Sequence, residues 1–362
     1  ATDKPLSAYT MRKHRESKPI VPSAQKNESM VFILSGPRSG STLFRVMLAG
    51  HPQVFCPPEI SLLFFDTMQE WQENVSFGQD FQWPAEGLHW ALVELMSIEP
   101  EEGWRVIEQM VADNRSVPGV YAQLQSLAGN RLLVDKTPPY AMDMDTLRRA
   151  EARFDQAKYI HLVRHPYAMM DSFLRLRLDQ QFSSSLFEDE NPDPYIVAET
   201  IWATANRNLL AFFAQEVAPE RHRLVRYEDL VRDPQGVMRG VCDFLQLPFD
   251  EAVVNPYDGR KDRMMGGIGD PNILQHSGID PKLGDAWRDV RLPRVLDDTT
   301  KALAEQFGYE LPEQLLTPQT SRVSLVSGGE TAVSADIPTV DELSDAEVAD
   351  MLAKLLMDNE GA

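Results

Sequence analysis

Long apolar runs and cysteines are both scarce in this sequence of 362 residues. No stretch of about 18 consecutive apolar residues occurs, so the sequence predicts no transmembrane helix. The polar start of the chain also lacks the apolar core of a signal peptide. The two cysteines, Cys56 and Cys242, lie in apolar surroundings and lack the spacing of a zinc site. We therefore expect buried thiols in a cytoplasmic protein and no metal centre, with one disulfide as the alternative.

Positive charge is also in short supply, since 35 basic residues face 55 acidic ones and the formal net charge is −20. This surplus of negative charge repels polyanions, so we expect no nucleic-acid partner unless a local basic patch dominates. Hydrophobic residues make up 43% of the chain and charged residues 25%, which is typical of a globular protein. The length then allows one large or two ordinary domains.

An apolar strand, a glycine-containing turn and an apolar helix follow one another at residues 31–48. Backbone N–H groups and the helix dipole converge on such a turn, so the pattern predicts a site for an anion such as phosphate. The alternative is an ordinary capped helix start. The candidate ligands are the Arg38 guanidinium and the amides and hydroxyls that follow it, at Ser39, Gly40, Ser41 and Thr42.

The turn lacks the lysine of a Walker A loop, G-x-x-x-x-G-K-[ST], because position 41 is serine. ATP-dependent phosphoryl transfer would therefore lack its usual cation at this site. A nucleotide kinase is accordingly a weaker hypothesis than a phosphate site that uses arginine in place of lysine.

Charged residues also follow or close two other predicted strands. Glu59 comes just after a short strand at 53–56, at a place where α/β proteins bind ligands. Lys136 closes a strand at 131–136, where it could meet the same anion as Arg38. The alternatives are an acid that interacts with a helix dipole and a solvated lysine at a strand end.

Arg164 closes the predicted strand at 158–164, and a helix begins directly after it at His165-Pro166. The helix dipole disfavours an arginine there unless an anion is present, so this position predicts a second phosphate site. Ser172 lies two turns into the helix and is a second candidate ligand. For Ser172 the alternative is a plain polar helix residue.

Three stretches have the composition of linkers or loops. Residues 1–29 are polar and hold six Lys or Arg against three acids, as expected for a linker. Residues 318–362 carry nine acids against two basic residues, and a capping box at Ser344 starts a short amphipathic helix. Six glycines and three prolines at 255–286 predict a long loop of a length that usually carries function, and we expect it to act as a lid over the site. His276 lies in this loop, where a plain exposed histidine is the alternative.

Four motifs in this order resemble those of the sulfotransferases that use 3′-phosphoadenosine-5′-phosphosulfate (PAPS). The resemblance covers roughly residues 30–310 and implies an α/β fold with a mostly parallel central sheet, flanking helices and a P-loop-like first turn. The matching segments are Gly36-Pro-Arg-Ser-Gly-Ser-Thr42 for the 5′-phosphosulfate, Leu162-Val-Arg-His-Pro166 with Ser172 for the 3′-phosphate, Arg226-Tyr-Glu-Asp-Leu230 with Tyr227 near the adenine, and the late segment Leu283-Gly-Asp-Ala-Trp287.

The same resemblance implies transfer of a sulfuryl group to an alcohol, with Arg38 and Lys136 stabilising the charge on the transferred group. Cytosolic small-molecule sulfotransferases carry a histidine base after Lys-Thr, whereas this chain has Pro138 there. Tyrosylprotein and some bacterial sulfotransferases instead carry a glutamate after the second strand. Glu59 is therefore the expected general base, and His276 is the alternative.

The late phosphate loop of the family, Arg-Lys-Gly, has no clean match in this chain. Arg260 and Lys261 are followed by Asp262 rather than glycine. Both basic residues stay on the list of candidate phosphate ligands, and no metal is expected at the site.

The tail at 343–356 resembles inter-domain segments of modular polyketide synthases, which include the curacin-type and olefin synthases with a chain-terminating sulfotransferase domain. That resemblance implies an acyl carrier protein and a thioesterase in the same polypeptide, and sulfation of a β-hydroxyl before decarboxylation to a terminal alkene. Arg148, Arg149 and Arg153 are candidates to orient the carrier.

Two alternative functions remain, namely a sulfotransferase for a free small molecule or sugar and a non-catalytic nucleotide-binding scaffold. The expected domains are a linker at 1–29, the sulfotransferase at 30–317 and a linker with an acidic helix at 318–362.

Overall fold

The computed structural model describes residues 25–74, 83–179, 192–257 and 278–312. Its centre is a five-stranded sheet in the order β2-β3-β1-β4-β5, in which every pairing is parallel. This confirms the predicted α/β class. The strands are β1 (Val31–Ser35), β2 (Val54–Phe55), β3 (Leu132–Lys136), β4 (Lys158–Val163) and β5 (His222–Arg226).

Helices cover both faces of the sheet, which explains why the central strand β1 is apolar at every position from 31 to 34. Side chains alternate along β1, so Phe32 packs into one hydrophobic cluster and Ile33 into the other. The described helices are α1 (Ser41–Ala49), α2 (Met68–Asn74), α3 (Trp83–Met96), α4 (Pro100–Ala112), α5 (Val117–Ala128), α6 (Met144–Arg153), α7 (Pro166–Arg175), α8 (Pro194–Glu216), α9 (Tyr227–Arg232), α10 (Pro234–Leu245) and α11 (Asp298–Gln306).

Residues 60–65 are irregular, although their apolar residues predict the start of a helix. Ser61 has a φ of 56°, a left-handed value that interrupts an α-helix. Side chains from elsewhere take the place of helical carbonyls: Ser61 N–H donates to Thr137 Oγ1 at 3.3 Å, and Leu63 N–H donates to Tyr140 Oη at 3.1 Å. The helix prediction was therefore wrong, because tertiary contacts satisfy this backbone.

The chain divides into two units, Ala1–Gln314 and Leu315–Ala362, and every described residue lies in the first. The predicted linkers and the amphipathic tail helix lie outside the described residues or at their edge, so those boundaries stay predictions. Both cysteines are free and buried, as expected, and the disulfide alternative was wrong. Within the described ranges, no helix is both long and apolar enough to cross a membrane.

Candidate active site

The carboxyl ends of the parallel strands bring the predicted site residues to one edge of the sheet. The β1–α1 turn follows the central strand, and Arg164 follows β4 on one side of it. Lys136 closes β3 on the other side, and Tyr227 follows the edge strand β5. Residues that are far apart in the sequence therefore surround one turn.

The β1–α1 turn leaves the start of its helix open to a ligand. The N-cap residue of α1 is Gly40, which has a φ of 84° and no side chain to cap the helix. Ser41 and Thr42 are the first helical residues, so neither of them is the N-cap, and the alternative of an ordinary capped helix start was wrong. With no side-chain cap, the first amides of α1 and the positive end of its dipole are directed to the mouth of the turn.

The ring of Tyr227 packs directly on this turn. A Cβ atom on Gly40 would lie 2.2 Å from Cδ2 of that ring, so only glycine fits. The guanidinium of Arg164 lies 4.6 Å from the centre of the same ring, within the range of a cation–π contact. The turn, the arginine after β4 and the tyrosine after β5 are therefore packed together.

Arg38, Arg164 and Ser172 are joined by hydrogen bonds. Arg38 Nε donates to Ser172 Oγ at 3.2 Å, and Arg164 Nη1 donates to the Arg38 carbonyl oxygen at 3.1 Å. Arg164 Nε is buried and has no hydrogen-bond partner among the described residues. A buried donor of this kind fits an anionic ligand, because an unpaired N–H is costly inside a protein. The residues present therefore fit an anion such as a phosphate group.

A second set of residues, whose contacts were not predicted from the sequence, packs behind Arg164 and its neighbours. The Glu228 carboxylate accepts from the His165 backbone N–H at 2.9 Å and from the Tyr309 hydroxyl at 2.8 Å. The His165 ring stacks on Trp287 at 4.1 Å, and burial lowers the pKa of His165 to about 4. Trp202 Nε1 donates to the Arg164 carbonyl oxygen at 2.9 Å. The signals in the sequence were the positions of Glu228 next to Tyr227 and of His165 next to Arg164, and the late segment that ends at Trp287.

Glu59 and Lys136 form a buried ion pair. Lys136 Nζ donates to Glu59 Oε1 at 2.7 Å, and their side chains are 3% and 11% exposed for the lysine and the glutamate respectively. The alternative of a solvated lysine at the strand end was therefore wrong, and the glutamate is shielded from water as well. Helix α3 packs so closely on Glu59 that a Cβ atom on Gly87 would lie 1.8 Å from the Glu59 carbonyl oxygen.

Arg45 is a second buried cation near this pair, and sequence reasoning missed it. Its guanidinium donates to the Cys56 carbonyl oxygen at 3.3 Å. Burial lowers the pKa of Arg45, while the charges of Cys56, Glu59 and Glu94 oppose that shift. An arginine between Phe44 and Val46 in an otherwise apolar helix was the available signal.

The remaining predicted residues are either outside the described residues or bound elsewhere. His276, Arg260 and Lys261 lie outside the described residues, as does most of the predicted lid. Arg149 and Arg153 are buried, and both bind the Asp66 carboxylate, so they cannot orient a carrier at the surface. Arg148, the third candidate, is bound to Glu216 and Asp145.

Comparison with known proteins agrees with this geometry. The chain is 47% identical to the sulfotransferase domain from the Synechococcus PCC 7002 olefin synthase, with a TM-score of 0.74 and coverage of 82% of this chain and 100% of that one. It is 44% identical to the sulfotransferase domain from the curacin biosynthetic pathway, with a TM-score of 0.73 and coverage of 80% of this chain and 100% of that one.

Curated proteins match at lower identity. The nodulation protein NoeE of Sinorhizobium fredii is 27% identical over 292 residues, which cover 77% of this chain and 65% of NoeE. Protein-tyrosine sulfotransferase A of Caenorhabditis elegans is 22% identical over 239 residues, which cover 64% of this chain and 53% of that protein. The chain thus spans less than two thirds of either relative. The model of the sulfotransferase family matches residues 30–251, which include all five strands and the ion pair, and the chain therefore belongs to the sulfotransferase family.

Proposed function

We propose that this chain transfers the sulfuryl group of PAPS to the β-hydroxyl of an acyl chain on an acyl carrier protein. Sulfation would activate that chain for decarboxylative elimination to a terminal alkene. The observation that carries the proposal is the buried Glu59–Lys136 pair beside a turn that fits a nucleotide phosphate. The 44–47% identity to sulfotransferase domains of the olefin synthase and the curacin pathway supports this class of acceptor.

The nucleotide would bind across the strand ends. The amides and hydroxyls of residues 39–42 would hold the 5′-phosphosulfate. Arg164 and Ser172 would hold the 3′-phosphate, and Tyr227 would pack near the adenine. PAPS would supply the activated sulfuryl group, and residues of the chain would accept the proton and stabilise the developing charge.

Glu59 would accept the proton of the acceptor hydroxyl, since its carboxylate is buried and held by one strong partner. The hydroxyl oxygen then forms a bond to sulfur, and the bond from sulfur to the phosphate oxygen breaks. Lys136 and Arg38 would stabilise the negative charge that gathers on the sulfuryl and bridging oxygens. The products are a sulfate ester and adenosine 3′,5′-diphosphate.

Long-range electrostatic attraction would not bring an acidic carrier protein to this domain, because the domain is acidic too. Of the net charge of −20, −16 remains on residues 30–317 once the tail and the N-terminal stretch are set aside. Tethering in one polypeptide removes the difficulty, because a flexible linker provides an effective concentration of order mM without affinity. We therefore propose that a carrier protein and a thioesterase lie in the same polypeptide, in the cytoplasm.

The test is mass spectrometry of a β-hydroxyacyl carrier protein after incubation with PAPS and this protein. A gain of one sulfuryl group on the carrier-bound chain is expected, and Lys136→Ala is the inactive control. Sulfation of free sugars or phenols with none on the carrier would favour a free acceptor instead. Nucleotide binding without any transfer would favour the non-catalytic scaffold.

A further inference from the structure

A second buried carboxylate lies on the same strand as the lysine of the ion pair and has no part in the reaction described above. Asp135 precedes Lys136 on β3, and its side chain is 0% exposed. Neighbouring residues of a strand face opposite sides of the sheet, so Asp135 points away from the lysine. Burial raises the pKa of Asp135, and hydrogen bonds from Tyr121, Thr137 and Tyr140 oppose that shift. A carboxylate in such a place costs several kcal/mol unless its partners compensate for the loss of water.

Three hydroxyl groups donate to this carboxylate. The Tyr121 and Tyr140 hydroxyls donate to Oδ2 at 2.6 and 3.0 Å, and the Thr137 hydroxyl donates to Oδ1 at 2.8 Å. A hydroxyl has one proton to donate. Each hydroxyl uses that proton in its hydrogen bond to the carboxylate. Toward any other neighbour it can therefore only accept a hydrogen bond.

Two of these hydroxyls accept from the backbone that follows Glu59. Thr137 Oγ1 accepts from Ser61 N–H, and Tyr140 Oη accepts from Leu63 N–H. These are the amides of the irregular segment, in which Ser61 has its left-handed φ of 56°. The carboxylate therefore sets the direction of two hydrogen-bond chains that run from backbone N–H through a hydroxyl to a charged oxygen.

We propose that Asp135 is a positioning residue, which holds the segment at 59–63 so that Glu59 meets Lys136. The proposal rests on the role of Glu59 as the base. The carboxylate and the lysine are consecutive residues of one strand, so the segment is tied to the same backbone that carries Lys136. Proton transfer needs hydrogen-bond reach, and a displacement of about 1 Å is enough to slow a reaction about 100-fold.

Asp135→Asn tests the direction of these chains at nearly constant volume. Its Nδ2 group donates where the carboxylate oxygen accepted, so at least one hydroxyl loses its acceptor at residue 135. Thr137→Val removes one hydroxyl, and Thr137→Ser keeps it, which gives a matched pair if the asparagine variant does not fold. Thr300→Val, a buried threonine of α11, is the control for loss of a threonine hydroxyl elsewhere.

Two measurements are needed, namely turnover and amide hydrogen exchange of peptides covering residues 59–63. We expect Asp135→Asn and Thr137→Val to lower kcat about 100-fold, to leave the Kd for adenosine 3′,5′-diphosphate unchanged, and to speed exchange in that segment. Thr137→Ser should keep the wild-type kcat and the wild-type exchange rate at residues 59–63, and Thr300→Val should change neither quantity.

Unchanged exchange at 59–63 would overturn the proposal, as would faster exchange with full turnover. A loss of turnover in Asp135→Asn that equally weakens nucleotide binding would overturn it too, because it would show general damage to the fold. Full turnover in Glu59→Gln would instead refute the role of Glu59 as the base. The exchange data would still decide whether Asp135 holds the segment.

Discussion

Gly40 and Tyr227 meet so closely that no side chain fits between the turn and the ring. A Cβ atom at position 40 would lie 2.2 and 2.5 Å from two ring carbons, whereas carbon atoms in contact lie about 3.5–4.0 Å apart. In Gly40→Ala, the ring or the turn must therefore move by at least about 1 Å. We expect this single methyl group to disrupt nucleotide binding more than its size suggests.

The magnitude follows from two separate costs. An L residue in the left-handed region, as required by the φ of 84°, costs about 1–2 kcal/mol of stability. Displacing the ring also weakens its contact with Arg164, and a cation–π contact is worth about 0.5–2 kcal/mol. Because that arginine is a proposed phosphate ligand, we expect affinity for adenosine 3′,5′-diphosphate to fall by about the same free energy, which is about 2- to 30-fold.

Gly129 provides a matched control. It also has a positive φ, of 63°, but a Cβ atom there would meet nothing within 4 Å. Gly129→Ala should lower thermal stability and leave the Kd measured by calorimetry unchanged. If Gly40→Ala binds the nucleotide as well as Gly129→Ala does, the close packing on Tyr227 does not support the site and the reasoning is wrong.

Glu59→Gln should keep nucleotide affinity and lower turnover about 10²–10⁴-fold; near-normal single-turnover rates would assign the base to another residue, with His276 as the first candidate. Arg164→Ala should weaken binding of adenosine 3′,5′-diphosphate by about 1–3 kcal/mol and leave AMP binding unchanged, and calorimetry showing equal losses for both nucleotides would refute its role at the 3′-phosphate. Burial lowers the pKa of His161 and His165 to about 4, so the unfolded chain binds their protons first as the pH falls. Each should reduce the free energy of unfolding by about 1.4 kcal/mol per pH unit as the pH falls from about 6.5 to 4. Urea titrations at several pH values measure this free energy, and an equally steep fall with pH in wild type and His161→Asn would contradict the prediction.

Local patterns in the sequence determined the architecture and most of the nucleotide site. Apolar runs of strand length, separated by helical patterns, predicted a parallel sheet, because buried parallel strands are apolar on both faces. The glycine-containing turn and the arginine at a helix start predicted two anion sites, because the dipole and free amides of a helix act within its first turn. The geometry at Arg38, Arg164 and Ser172 agrees with that argument, although their roles stay proposals.

Only the tertiary structure decided which of these residues touch and which surfaces they face. Glu59 and Lys136 are 77 positions apart, and nothing in either local pattern encodes their distance of 2.7 Å. Residues 60–65 carry a helical pattern, yet the hydroxyls of Thr137 and Tyr140, which follow β3, accept from two of their amides. The basic residues Arg149 and Arg153 turn inward to Asp66. Sequence periodicity reports the face that an element buries, whereas the partner of a buried charge depends on which distant element packs against it.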